Sequence, residues 1–256
     1  MKIGICMTCS NAVAYTKAAV ASIKTKHPYE LIILDDYSID GTKAWLRTLV
    51  GVTVLSDPDS PSLGGNWNLG AAKAKELGCE AVLICNNDIL FHSLTIDNLV
   101  LRLEEARQNN EFVVVVSANN QRGNIKPEEI FTLELAKENS EAEHPDFSCF
   151  LLDLKAWEFV GKFSEDYKPC YFEDNDFHTR LKLYGLKAIA ITTAPYYHYG
   201  SITQNSVVGG LCTPPQFERN RAVFVDKFGT TPDLIDIEKL RKAFNIKPVT
   251  SLAAMI

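Results

Sequence analysis

Three short apolar runs, each stopped by polar residues, constrain this chain most: residues 2–7 (KIGICM), 30–34 (ELIIL) and 81–85 (AVLIC). A strand with one wet face alternates polar and apolar residues, whereas a strand covered on both faces reads apolar throughout. Helical spacing follows each run, which predicts helices over 11–26, 42–50, 66–77 and 95–108, with further strands at 52–55 and 112–116. Asn11 is expected to cap the first of these helices and His27-Pro28 to close it. Strands alternating with helices predict an α/β domain with a mostly parallel sheet flanked by helices. In such sheets ligands bind beyond the carboxyl ends of the strands. That rule singles out Thr8, Asp35-Asp36 and Asn86-Asn87-Asp88, which all follow apolar runs.

The second half is less regular. Residues 119–146 are polar, then strands are expected at 147–153 and 186–192 and helices at 155–160, 173–184, 216–228 and 234–244. Segment 204–215 is rich in Gly and Pro. It reads either as a lid hinged at Gly209-Gly210 or as a plain connection.

With 256 residues and 46% apolar content, the chain can bury a full core. The net charge of −6 argues against a general nucleic-acid binder. No apolar run approaches the ~18 residues of a membrane span, and the start reads as a strand, so a cytoplasmic protein is expected, with peripheral attachment to a membrane left open. Seven cysteines at irregular spacing do not suggest a disulfide framework. Cys6-x-x-Cys9 has no second pair to complete a zinc site and reads as two small residues ending a buried strand.

Four segments carry candidate chemistry. Asp88 after a strand can hold a hard divalent cation such as Mn²⁺ or Mg²⁺, though an Asp there also serves as a turn residue. Glu173-Asp174-Asn175-Asp176 places three carboxylates at the start of a helix among aromatic residues. Such a cluster can cap the helix, or one member in a partly apolar cleft can act as a general base. Glu173 and Asp176 fall nearly on one helical face, with Asp174 about 100° from Glu173. His198, in Tyr196-Tyr197-His198-Tyr199-Gly200, is either a hydrogen-bonded core histidine or a metal ligand beside Asp88. Asp35-Asp36 can accept hydrogen bonds from a base or ribose, while Asp40-Gly41-Thr42 is turn-and-cap chemistry.

In this order, the segments resemble the family 2 glycosyltransferases of the GT-A fold, over 2 to about 228. Asp35-Asp36-x-Ser38-x-Asp40-Gly41-Thr42 is similar to the nucleotide-binding signature and Asn86-Asn87-Asp88 to the acidic metal-binding motif. Val160-Gly161-x-Phe163, Tyr171-Phe172-Glu173-Asp174-x-Asp176, Arg180, Gly185 and His198-x-Gly200-Ser201 resemble the rhamnosyltransferase-like branch. The resemblance implies one domain over 1–256, with a nucleotide-sugar-binding half (1–118) and an acceptor-binding, catalytic half (119–256). It implies direct displacement with inversion, using Asp174 as base. Asp88 and His198 would hold a divalent cation. Asp36, Thr8, Asn68 and Asn87 would bind the donor, and Glu173 donor or acceptor hydroxyls. The donor would be a UDP-, dTDP- or GDP-sugar and the acceptor a glycan, a lipid-linked acceptor or a protein. Two departures stand out: Asn86 where many members carry Asp, and Ser148-Cys149 where the family often has a Gly-containing pair.

Two rival readings differ in what they require. A sugar nucleotidyltransferase would carry a Gly-rich loop with a basic residue after strand one, where this chain has Cys9-Ser10-Asn11-Ala12. A non-catalytic nucleotide-sugar-binding protein would have no use for a base.

Overall fold

A computed structural model describes residues 1–56, 62–143, 145–200, 202 and 211–255. The first apolar run becomes β1 (Ile3–Cys9), the second β2 (Tyr29–Asp35) and the third β4 (Ala81–Asn86). With β3 (Val52–Leu55) they form a parallel block ordered β3-β2-β1-β4. The helices α1 (Val13–Ser22), α2 (Thr42–Leu46) and α3 (Leu63–Glu76) connect these strands. After β4 the chain makes a short strand, β5 (Ile89–Phe91), then α4 (Thr95–Gln108) and β6 (Val113–Asn120).

The second half does not add a separate sheet. A two-residue strand β7 (Glu141–Ala142) precedes β8 (Cys149–Asp153), which inserts antiparallel between β4 and β6. Helices α5 (Leu154–Val160) and α6 (Glu173–Leu183) follow. The long β9 (Lys187–His198) then pairs parallel with β6 and antiparallel with β5 and β7. Two further helices, α7 (Pro214–Phe228) and α8 (Ile237–Phe244), pack a third cluster with Tyr167, Phe172 and Leu183. The result is the expected α/β domain, with a mixed sheet whose β3-β2-β1-β4 block is parallel.

Both faces of the sheet are dry, as the unbroken apolar runs require. Ile3, Ile5 and Met7 pack with α1 and α4 on one face, and Cys6, Ile32 and Ile84 with α3, α5 and α6 on the other. The α3 face is very close. A β-carbon at Gly70 would lie 2.0 Å from Cys6 Sγ, and one at Gly4 2.5 Å from Ala74 Cβ. Cys6 and Cys9 belong to opposite faces, so they do not face each other as a pair. None of the seven cysteines forms a disulfide, and all are buried.

Several boundaries differ from expectation. Asn11 does not cap α1: Asn11 and Ala12 are both left-handed (φ 59°), and Asn11 Oδ1 accepts instead from Ile39 N (2.8 Å) and Asp40 N (3.3 Å). Asn11 thus ties the β1 end to the β2 end. Helix α3 starts earlier than expected because Ser62 Oγ accepts from Gly65 N at 3.0 Å. His198 closes β9 instead of following a strand, since β9 continues past residue 192 to pair with β5. The lid expectation for 204–215 falls largely on residues outside those described, as does Ser201.

Candidate active site

The carboxyl ends of β1, β2 and β4 and the turn leading into α6 line one cavity of about 360 Å³. Asp88 stands on one wall. It falls between β4 and β5, and its carbonyl accepts from Tyr199 N at 2.9 Å. The β5–β9 register sets Ile89 opposite His198. This brings His198 Nε2 to 3.0 Å from Asp88 Oδ1 and 3.3 Å from the Asn86 amide. Asp88 Oδ2 accepts from Ile202 N at 3.3 Å. The carboxylate is thus held by strand pairing, and only 3% of the residue is exposed.

Glu173 and Asp174 line the same cavity. The turn before α6 is strained, with Tyr171 (φ 77°) and Phe172 (φ 83°) both in the left-handed region. Asp174 Oδ1 accepts from Asn175 N (2.8 Å) and Asn175 Nδ2 (3.0 Å). Burial nonetheless holds the Asp174 carboxyl above its ordinary value. Glu173 is 3% exposed and its Oε2 has no hydrogen-bond partner among the described residues. Burial, then the neighbouring Asp174, push its carboxyl well above the usual carboxylate range, which favours the neutral form.

Asp176, third in the acidic cluster, turns away. Fully buried, it accepts from Arg180 Nε (2.6 Å), Tyr167 Oη (3.0 Å) and Lys227. The Arg180 guanidinium also donates to the carbonyls of Val160, Gly161 and Lys162. The cluster therefore divides: Asp176 fastens α6 to its neighbours, and Glu173 and Asp174 line the cavity.

Of the other expected site residues, Thr8, Asp36 and Asn87 line the same cavity. Thr8 Oγ1 is buried without a partner among the described residues, and burial followed by Asp35 raises the Asp36 carboxyl. Asn87 donates to Thr16 Oγ1 at 2.9 Å. Asn68 is not brought to the cavity. Its Oδ1 accepts from Phe163 N (2.9 Å) and Trp157 Nε1 (3.2 Å), and its Nδ2 donates to Phe163 O and Glu165, so it braces the 161–165 turn against α3.

Three lining residues escaped the sequence reading. Asp146 lies on the cavity wall, accepting from Tyr196 Oη (2.6 Å) and Ser148 N (2.8 Å). Arg122 is the one Lys or Arg among the described lining residues. Its guanidinium lies across Gly200, where a β-carbon would sit 1.8 Å from Nη1. Trp67, on α3, presents a buried indole N–H without a partner. Asp146 and Arg122 come from the irregular stretch, where no periodicity marks a residue for one side. The Ser148-Cys149 pair now has a local role. Ser148 N holds Asp146, and Cys149 faces Cys85 across the β4–β8 ladder in the core.

The model of glycosyl transferase family 2 matches residues 4–161. The chain belongs to that family. Residues 4–161 contain β1 through α5, and hence Asp36 and Asp88, while α6 with Asp174 lies beyond them. Among solved structures, S. aureus TarS 1-349 superposes with a TM-score of 0.62 at 16% identity, over 94% of this chain and 69% of that one. The same TarS fragment in complex with UDP-GlcNAc gives 0.63 at 15% identity, over 94% and 70%. GalNAc-T7 with UDP, GalNAc and Mn²⁺ gives 0.63 at 13% identity, over 97% of this chain and 55% of that one. These likenesses establish the GT-A fold. No curated protein matches the chain in sequence.

The donor set was tested against a divalent cation. Among the described residues no group of three or more His, Cys, Asp or Glu is arranged to hold a metal ion. Asp88 and His198 supply one carboxylate oxygen and one imidazole nitrogen, 3.0 Å apart. Two neighbouring ligands of an octahedral ion bound at ~2.1 Å are about 3.0 Å apart, so the pair fits two of six positions. Cations of this kind keep waters and substrate phosphate oxygens in the others. Imidazole in the set suits Mn²⁺ better than Mg²⁺.

Proposed function

We propose that this domain is an inverting, metal-assisted glycosyltransferase that moves a sugar from a nucleoside-diphosphate donor to a hydroxyl acceptor, with Asp174 as general base. The observation that carries this reading is the shared cavity: the Asp88–His198 pair and Asp174 line one space. Asp36 and Thr8 at the strand ends would take the nucleoside, with Asn87 beside them. GalNAc-T7 was solved with UDP, and TarS 1-349 with UDP and with UDP-GlcNAc, which favours a uridine donor here. The branch likeness from the sequence points toward rhamnosyl or hexosyl transfer.

In this scheme Asp174 accepts the proton of the acceptor hydroxyl. The acceptor oxygen forms the new bond to the anomeric carbon as the bond to the diphosphate breaks. A carboxyl raised by its surroundings is a stronger base than one in water. The departing diphosphate carries negative charge and needs electrostatic stabilisation instead of a proton. A cation held by Asp88 and His198 would supply Lewis-acid stabilisation of that charge. Arg122 adds a fixed positive charge on the same cavity wall. Glu173, kept neutral, would donate a hydrogen bond to a sugar oxygen.

Two substitutions test the scheme. Asp174→Asn should leave donor binding intact and lower turnover by at least about 100-fold, the lower range for loss of a general base. Near-normal turnover would remove Asp174 from the role. Asp88→Ala should weaken UDP binding in titration calorimetry with Mn²⁺ present and have no effect in EDTA. An equal loss under both conditions would give Asp88 a different task.

A further inference from the structure

An aromatic pair at the cavity mouth is unused by the scheme above. Tyr171 lines the cavity beside Glu173, yet 43% of it is exposed. Its ring stands 5.6 Å from that of Phe217 on α7, at 68°, and Phe217 is itself 39% exposed. Phe217 in turn packs 5.2 Å from the buried Phe172. The Tyr171 backbone is left-handed, a conformation that disfavours any residue with a β-carbon and that glycine would adopt without strain. The turn is clamped from behind by the fully buried Asn220, whose Nδ2 donates to the carbonyls of Cys170 (2.8 Å) and Tyr171 (3.4 Å). A strained, fixed backbone therefore holds out a large ring that the core does not need, next to the candidate base.

We infer that Tyr171, backed by Phe217, is the platform on which a pyranose of the acceptor stacks, so that the acceptor is a glycan. This rests on the glycosyl-transfer reading. A pyranose presents a face of C–H bonds and a rim of hydroxyls. The negative face of an aromatic ring attracts the former, and neighbouring carboxyls take the latter. Tyr171, Glu173 and Asp174 line one cavity and supply that pairing. A lipid chain would offer no partner to Glu173 Oε2, which has none among the described residues, at a cost in desolvation.

The test uses the whole chain with Mn²⁺, a panel of UDP-, dTDP- and GDP-sugars, and methyl pyranosides of glucose, galactose, rhamnose and N-acetylglucosamine as acceptors. Nucleoside-diphosphate binding is measured first by calorimetry. At least one glycoside should then accelerate nucleoside-diphosphate release. Tyr171→Ala should raise the KM for that glycoside about tenfold, the equivalent of ~1.4 kcal/mol, with a smaller change in kcat. Tyr171→Phe and Tyr171→Trp should stay within about threefold of wild type in KM. Tyr171→Gly should melt no lower than wild type while its KM rises, a combination that a merely structural role would not produce. Release that no glycoside accelerates, or a Tyr171→Ala KM within about twofold of wild type, overturns the inference and leaves donor use intact. No nucleoside-diphosphate binding at all overturns the parent reading as well.

Discussion

At the scale of single residues, adjacent carboxyls acquire different chemistry from their surroundings. Glu173 and Asp174 follow one another, yet Asp174 is half-buried and hydrogen-bonded to Asn175, whereas Glu173 is sealed with one oxygen unpartnered. The folded state holds a proton on Glu173 that the unfolded chain releases near its ordinary value of 4.5. The native state binds more protons above that pH, so this group makes stability fall as pH rises. Glu173→Gln removes the effect. It should melt above wild type at neutral and alkaline pH, with the gap closing toward pH 4.5. Thermal melts across pH check this, and a constant gap would show that Glu173 is not held neutral.

Among elements, the contact of α3 with β1 sets how the strand ends reach the cavity. Gly70 lets the helix come within van der Waals reach of Cys6, and Ala71 and Ala74 continue the same small-residue face. Gly70→Ala would force a methyl against the sulfur, which costs about 1–3 kcal/mol for an overpacked core. Combined with Cys6→Ala, most of that loss should return, because the clashing sulfur is gone. Urea unfolding of both variants measures it. If the double variant is no more stable than Gly70→Ala alone, another contact is responsible. Burial also raises the Cys6 thiol, so this cysteine serves packing and is poorly suited to redox work.

For the whole molecule, the two halves are interleaved. Strand β8, from the second half, lies between β4 and β6 and pairs antiparallel with both. A fragment of residues 1–118 would leave the apolar β4 edge without that partner. We expect it to lack a cooperative urea transition, whereas the full chain should unfold in a single step seen alike by fluorescence and circular dichroism. A cooperative fragment would make residues 1–118 an independent folding unit.

The unbroken runs at β1, β2 and β4 were readable because burial on both faces leaves no polar position in a strand. The carboxyl-end rule then picked out Thr8, Asp36 and Asp88, since strand direction alone places them. Local pattern could not sort Asp174 from Asp176: both open the same helix, and the distinction comes from Arg180, Tyr167 and Lys227 gathered around one of them. Nor could it exclude Asn68, whose partners lie 89 to 97 positions away around Phe163. Asp146 and Arg122 sit in chain without periodicity and became visible only when the β6–β9 pairing brought them to the cavity. Short-range patterns encode which segments are strands and where those strands end. Which charges meet across a cavity depends on long-range pairing, and no short stretch of sequence carries that.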